Sequence, residues 1–343
     1  MNIFKYQQPF KLESGISING YHLGYTTFGE LNAAKDNAVW VFHALTANSN
    51  PVEWWDGLVG NGKLFNPNQH FIVCVNMPGS CYGSINPLDI DYTTNEPFFH
   101  GFPLFTTRDM ARAYKPLKDY LGIDKIFVGL GGSMGGQQLL EWAVEEPELF
   151  NHIIPIATNA FHSPWAIAFN SSQRMCIEAD STWKNKNAEA GIIGMKVARS
   201  VALLSYRNYE TYLFAQSEKS NDAIDNFKSD SYQRYQGEKL AKRFNAFSYY
   251  FLSKSMDAHN LGRGRASVTA ALQSIRSNTL VIGIETDVLF PVAEQTFLAN
   301  EIPGACLALI KSTYGHDGFL LEFAQIAKVI REFLLLNEKN LSA

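Results

Sequence analysis

Residues 129–136 read GLGGSMGG, directly after the apolar run KIFV and directly before QQLLEWAVEEPELF. A glycine-rich turn between a strand-like and a helix-like segment is a phosphate cradle, an idle flexible connection, or the seat of a reactive hydroxyl. Each reading commits the chain to a different fold. A P-loop requires Lys followed by Ser or Thr after its last glycine, and Gln137 and Gln138 stand there instead. A dinucleotide fingerprint requires three glycines, and the set Gly129, Gly131, Met134 fails at its third position. What fits is Gly-x-Ser-x-Gly, as Gly131-Gly132-Ser133-Met134-Gly135. In such a turn the serine backbone is strained, and the residues two positions to either side must be tiny. The helix that begins at once points its amide dipoles at the hydroxyl.

The surrounding chain agrees with that reading. NAVWVFHALT, HFIVCVNMPG, DKIFVGL, NHIIPIATNA, NTLVIGI and ACLALIKS are short apolar runs that read as strands. Helix-like stretches alternate with them, including TTRDMARAYKPLKDYLGI, with Thr107 as a candidate cap and Pro116 as a possible kink. Nearly continuous apolar strands alternating with helices imply a mostly parallel sheet covered on both faces. The N-terminal FKLESGISINGYHLGYTTFG alternates in polarity around Gly15 and Asn19-Gly20 and reads as a β-meander. From about 162 to 275 the rhythm changes to long helical spacing with many aromatics. The expected architecture is the α/β-hydrolase fold, a mostly parallel eight-stranded sheet flanked by helices. Its core is expected over 1–161 and 276–343, with a helical lid over 162–275 inserted before the last two strands.

A nucleophilic serine needs a base and a group that orients the base. In this fold the chain order is Ser, then Asp or Glu, then His. Of eight histidines, only His316, in STYGHDGFL, follows the late strand. The turn GIETDVLFP supplies Glu285 and Asp287; Asp287 lies farther past the strand end and is the better placed to reach across to an imidazole. The oxyanion of an acyl-transfer intermediate needs two N–H donors. Met134, after the serine, supplies one, and by analogy with the His-Gly-type turn of this fold Leu45 supplies the other. His43 is then structural.

Composition excludes several classes of partner. The 343 residues are 46% apolar and 18% charged with a net charge of −4, which supports a large core and argues against nucleic-acid binding. No stretch approaches the roughly 18 apolar residues of a membrane span, and the N-terminus lacks the apolar segment of a signal peptide. Cys74, Cys81, Cys176 and Cys306 have neither zinc-site nor disulfide-framework spacing. A cytoplasmic enzyme without a bound metal or permanent cofactor is expected.

The segments FHALT, GGSMGG, ETDVLFP and YGHDGFL resemble the homoserine O-acetyltransferases. So do ARSVALLSYR and YQGEKLAKRFNAFSYYFLSKSMDAHNLGRG in the lid, which ordinary esterases do not share. The resemblance runs from about 37 to 335. It implies ping-pong transfer from acetyl-CoA, as co-substrate, to the hydroxyl of L-homoserine in methionine biosynthesis, by a homodimer joined through its lid helices. It implies Ser133 as nucleophile, His316 as base, Asp287 as orienting acid, Arg199 with Tyr206 beside it for the substrate carboxylate, and Asp317 for its amino group. An α-amino acid is a zwitterion, and a dry tunnel that binds one needs a cation and an anion; the guanidinium fork suits a carboxylate. Arg199 and Tyr206 are seven residues apart and share one helix face. The chain departs from the family pattern at Ala47, Ser80, Ile85 and Asn86, in loops bordering the pockets. Serine as acceptor and succinyl-CoA as donor therefore stay open as alternatives, and so does a carboxylesterase, because esterases share the triad and oxyanion hole.

Overall fold

The apolar runs become strands because a parallel sheet covered on both faces has no polar side to satisfy. In the computed structural model, which describes residues 1–91 and 93–341, the run Ala38–Phe42 is buried at every position. Its side chains alternate between two cores. Trp40 and Phe42 pack with Tyr114 and Trp142 on one face, the Trp40 and Trp142 rings edge-to-face at 4.9 Å. Val39 and Val41 join Val128, Leu130, Ile154 and Ile156 on the other, beneath Ile326, Ile330 and Phe333.

Eight strands form the main sheet: β1 (Asn2–Tyr6), β2 (Tyr21–Phe28), β3 (Ala38–Phe42), β4 (Phe71–Val75), β5 (Ile126–Gly132), β6 (Phe150–Ile156), β7 (Asn278–Ile284) and β8 (Cys306–Ile310). Their spatial order is β1-β2-β4-β3-β5-β6-β7-β8. The pairs β1–β2 and β2–β4 are antiparallel, and all others are parallel. Strand β1 is an addition to what the sequence pattern suggested. It is held by a non-local ladder in which Phe4 faces Leu23 and Tyr6 faces Tyr21, their rings stacked at 5.0 Å. The expected meander is partial: Phe10–Lys11 and Ser17–Ile18 form a two-residue ladder around Gly15, and the chain then enters β2.

Helices α1 (Thr107–Tyr120) and α2 (Met134–Glu145) cover one face. The cap of α1 is Thr106, not Thr107. Thr106 accepts the Asp109 N–H while the Asp109 carboxylate accepts the Thr106 N–H, a reciprocal box that Thr107 cannot form because Met110 stands three residues after it. The helix runs through Pro116 to Tyr120.

Six helices lie between β6 and β7: α3 (Pro164–Glu178), α4 (Ile192–Tyr206), α5 (Tyr209–Gln216), α6 (Lys228–Ala241), α7 (Ala246–Asp257) and α8 (Val268–Gln273). The helical spacing of GMKVARSVALLSYRNYETYLF (194–214) and of EKLAKRFNAFSYYFLSKSMDAH (238–259) suggests one helix each, but each stretch is two helices, broken at an asparagine. Asn208 accepts the Glu210 N–H at 3.0 Å to start α5, and Asn245 accepts the Ser248 N–H at 2.8 Å to start α7. Helix α9 (Val292–Glu301) joins β7 to β8, and after β8 a single helical turn, Gly318–Leu321, precedes the long helix α10 (Phe323–Leu341).

The end of this helical insertion is pinned to α1 and α2 by buried charge. Glu141, fully buried on α2, receives Arg108 Nε at 3.1 Å and Arg265 Nη1 at 3.0 Å. Arg108 also meets Glu13 at 2.7 Å. Buried ions are tolerated when every one is paired, and removing one partner typically costs about 3–5 kcal/mol.

Candidate active site

Ser133 sits between β5 and α2 with φ 55° and ψ −126°, a conformation that costs about 1–3 kcal/mol for a non-glycine residue. The surroundings hold it there. Its N–H donates to the Ile156 carbonyl at 2.9 Å, and its carbonyl accepts the Thr158 hydroxyl at 2.8 Å and the Gly136 N–H at 2.9 Å. The neighbouring glycines are steric requirements. A Cβ on Gly131 would lie 2.5 Å from the Gly135 carbonyl oxygen, and one on Gly135 would collide with the Phe42 carbonyl.

Past β7 the chain turns through Glu285, which is exposed, to Asp287, which is buried. Asp287 Oδ1 accepts the Leu289 and Phe290 N–H groups at 2.8 and 2.9 Å. Its Oδ2 lies 2.6 Å from His316 Nδ1, and His316 Nε2 lies 2.9 Å from Ser133 Oγ. Ser133, His316 and Asp287 thus form one hydrogen-bonded row in a site where each is 5% exposed or less. The loop carrying His316 is braced by Thr286, whose hydroxyl donates to the Ser312 carbonyl at 2.8 Å and accepts the Gly315 N–H at 3.1 Å. Phe290 stacks on the imidazole at 5.0 Å, with Phe319 and Tyr206 at 5.2 and 5.8 Å.

Electrostatics at His316 are opposed. Burial pushes the imidazole pKa down; the Asp287 charge and hydrogen bond, with Asp317 adding, push it up and prevail. Burial alone dominates at His43, lowered to about 4, and at His162 and His259, each lowered to about 3. His43 is a structural tie: its Nε2 accepts the Met77 N–H at 3.1 Å, which leaves Nδ1–H to donate to the Ala44 carbonyl at 2.8 Å. That carbonyl also accepts the Ala47 N–H at 3.0 Å. It belongs to the same rigid peptide plane as the Leu45 N–H, so both bonds also orient that donor. Met134 is the first residue of α2, and its N–H has no acceptor within the helix.

Residues of the helical insertion meet this row from one side. The Arg199 guanidinium lies over the Tyr206 ring at 5.2 Å, and Tyr206 is in turn packed on His316. Asp317 is not ion-paired to Arg199. Its Oδ2 lies 3.2 Å from Arg207 Nε, at an angle that leaves this nitrogen without a hydrogen bond. Burial raises the Asp317 carboxyl, while Arg207 and Arg199 pull it back down; the net direction is upward. Arg207 escaped the sequence reading although it directly follows Tyr206; its signal is that it ends α4, where the carbonyl-rich helix terminus favours a cation. Of the loop departures, Ser80 and Ile85 are buried, and Ser80 Oγ has no hydrogen-bond partner. Asn86 closes its own turn through the Ser84 carbonyl at 3.0 Å and the Asp89 carboxylate at 3.1 Å. Among the described residues, no group of three or more His, Cys, Asp or Glu side chains is placed to hold a metal ion.

A buried Ser-His-Asp row with a strained serine at the start of a helix is built to take up and release an acyl group. Comparisons with known proteins agree in kind. The family model of the alpha/beta hydrolase fold matches residues 37–323. Homoserine O-acetyltransferase of Cyclobacterium marinum is 48% identical over 98% of this chain and 95% of its own length. Among solved structures, homoserine O-acetyltransferase from Bacillus anthracis superposes with a TM-score of 0.89 at 23% identity, covering 97% of this chain and 96% of its own. Esterase E22 superposes at 0.87 and 22%, covering 97% and 99%. At those identities the two structures share the fold, and the fold by itself does not choose between transfer and hydrolysis. The near-full-length identity to the first relative does: the chain belongs to the homoserine O-acetyltransferase family of α/β-hydrolase-fold proteins.

Proposed function

We propose that the protein transfers an acetyl group from acetyl-CoA to the hydroxyl of L-homoserine, by a ping-pong route through acyl-Ser133. The observation that carries this reading is the charge arrangement beside the imidazole. Arg199 reaches His316 through Tyr206, and Asp317, which follows His316 in the chain, faces Arg207, so cationic and anionic groups both accompany the imidazole. An ester hydrolase has no need of that pair, whereas an amino-acid acceptor requires it.

In the first half-reaction Ser133 Oγ attacks the thioester carbonyl and its proton passes to His316 Nε2. The tetrahedral oxyanion is held by the Met134 and Leu45 N–H groups. The C–S bond breaks, and the CoA thiolate takes the proton from the imidazolium. In the second, His316 takes the proton of the homoserine hydroxyl, whose oxygen attacks the acyl-serine; collapse of the intermediate returns the proton to Ser133 Oγ. Arg199 holds the acceptor's carboxylate and Asp317 its ammonium group. Helices over 162–275 act as a lid that keeps water from the acyl-enzyme. Four free cysteines and a CoA co-substrate fit a cytoplasmic location. The exposed Ile193, Val197 and Leu204 on α4 fit a homodimer through the lid.

Kinetics with acetyl-CoA and succinyl-CoA crossed against L-homoserine and L-serine test the reading. Acetyl-CoA with homoserine is expected to have the highest kcat/KM, and a preference for serine or succinyl-CoA overturns the assignment. In Arg199→Ala the homoserine KM is expected to rise about 10- to 100-fold, the scale of a lost charge-assisted hydrogen bond. Unchanged acceptor kinetics remove Arg199 from the site.

The pH dependence follows from the direction of the His316 shift. The base must be neutral, and its folded pKa is raised. Protonation therefore persists to higher pH, and kcat/KM is expected to climb through an apparent pKa above the ordinary histidine value of about 6.5. An acid limb below that value contradicts the assignment of the base.

A further inference from the structure

We infer that Arg243, in the segment joining α6 to α7 of the insertion, is a positioning residue for the oxyanion hole. The inference rests on the reading of the Leu45 N–H as one of the two donors. The turn that presents Leu45, residues 43–47, is stitched at two carbonyls. Ala44 is held from within the turn by His43 and Ala47. Thr46 is held from outside it, by Arg243 Nη1 at 2.5 Å. The same nitrogen donates to the Tyr82 hydroxyl at 2.6 Å. Arg243 therefore bridges the turn to the loop after β4, which meets the turn again where the Ser49 N–H donates to Asn76 Oδ1 at 2.7 Å and the Met77 N–H donates to His43.

Arg243 itself is fixed at its base. Its carbonyl accepts the Cys81 thiol at 3.7 Å, and the next ring, Phe244, sits edge-on to Tyr82 at 5.7 Å. Among the described residues no carboxylate lies within ion-pairing distance of the guanidinium, so its position is set by the turn and the loop and not by a salt bridge. Among the described residues no other group donates a hydrogen bond to the Thr46 carbonyl. The geometry of the hole thus depends on a residue of the insertion that also carries Arg199.

The effect belongs to rate more than to folding. An exposed hydrogen bond adds little to stability, whereas loss of an oxyanion donor costs about 100- to 1,000-fold in kcat, and its displacement a part of that. Arg243→Met keeps the aliphatic stem without a donor; Arg243→Lys keeps a donor. With thermal midpoints checked, acylation of Ser133 by acetyl-CoA and transfer to homoserine are measured separately. Arg243→Met is expected to slow both steps about tenfold and to leave the homoserine KM within about twofold, with Arg243→Lys recovering most of the rate. Wild-type rates in both variants, equal losses in both, or a loss confined to KM overturn the inference. Absence of a CoA burst from the wild-type protein sinks the reading of Ser133 itself, and the role of Arg243 with it.

Discussion

Ser133→Ala is expected to lose on the order of 10⁴- to 10⁶-fold in kcat for acyl transfer, because the attacking atom is gone and the imidazole has nothing to activate. The substitution should leave the fold intact. Among the described residues Ser133 Oγ has one hydrogen-bond partner, His316 Nε2, and the bonds that hold the elbow run through the Ser133 backbone and Thr158. Alanine inherits the same strained φ of 55° and is tolerated to the same degree as serine. The thermal midpoint is therefore expected to stay within a few degrees of wild type, or to rise. Activity retained in a well-folded Ser133→Ala moves the chemistry to another residue.

Asp287→Asn is expected to cost about 10⁴-fold in kcat, the scale the same change produces in serine proteases. The local hydrogen bonds explain the direction. The Leu289 and Phe290 N–H groups both point at Oδ1, so the oxygen of an asparagine must remain there. Its NH₂ then faces His316 Nδ1, which becomes an acceptor, and the proton moves to Nε2. That tautomer donates to Ser133 Oγ and cannot take its proton. With the Asp287 charge gone, burial also wins at His316 and the acid limb of the pH profile moves down. Glu285→Gln, at an exposed position, should change the rate less than twofold.

The elbow was legible because steric exclusion writes itself into composition: glycine at 131 and 135 is required by the carbonyls of Gly135 and Phe42. The order of Ser133, Asp287 and His316 was legible because the fold runs its functional loops past successive strand ends. Both helix breaks were also written in the chain, as Asn208 and Asn245, yet apolar spacing alone merges the helices on either side. The cap at Thr106 was decidable from Asp109 three residues on. Strand β1 was not decidable locally, since its pattern is mostly exposed and its partner lies across a long connection. Arg207 beside Asp317, and Arg243 on the Thr46 carbonyl, depend on how the insertion docks, and sequence spacing carries no record of that.

The most direct test of the central claim is the mass of the intact protein after brief exposure to acetyl-CoA alone. One acetyl group should appear on Ser133, persist against water, and vanish within a turnover when L-homoserine is added, with O-acetylhomoserine formed in equal amount. No adduct at Ser133, or sustained CoA release at the same rate without any acceptor, contradicts the account.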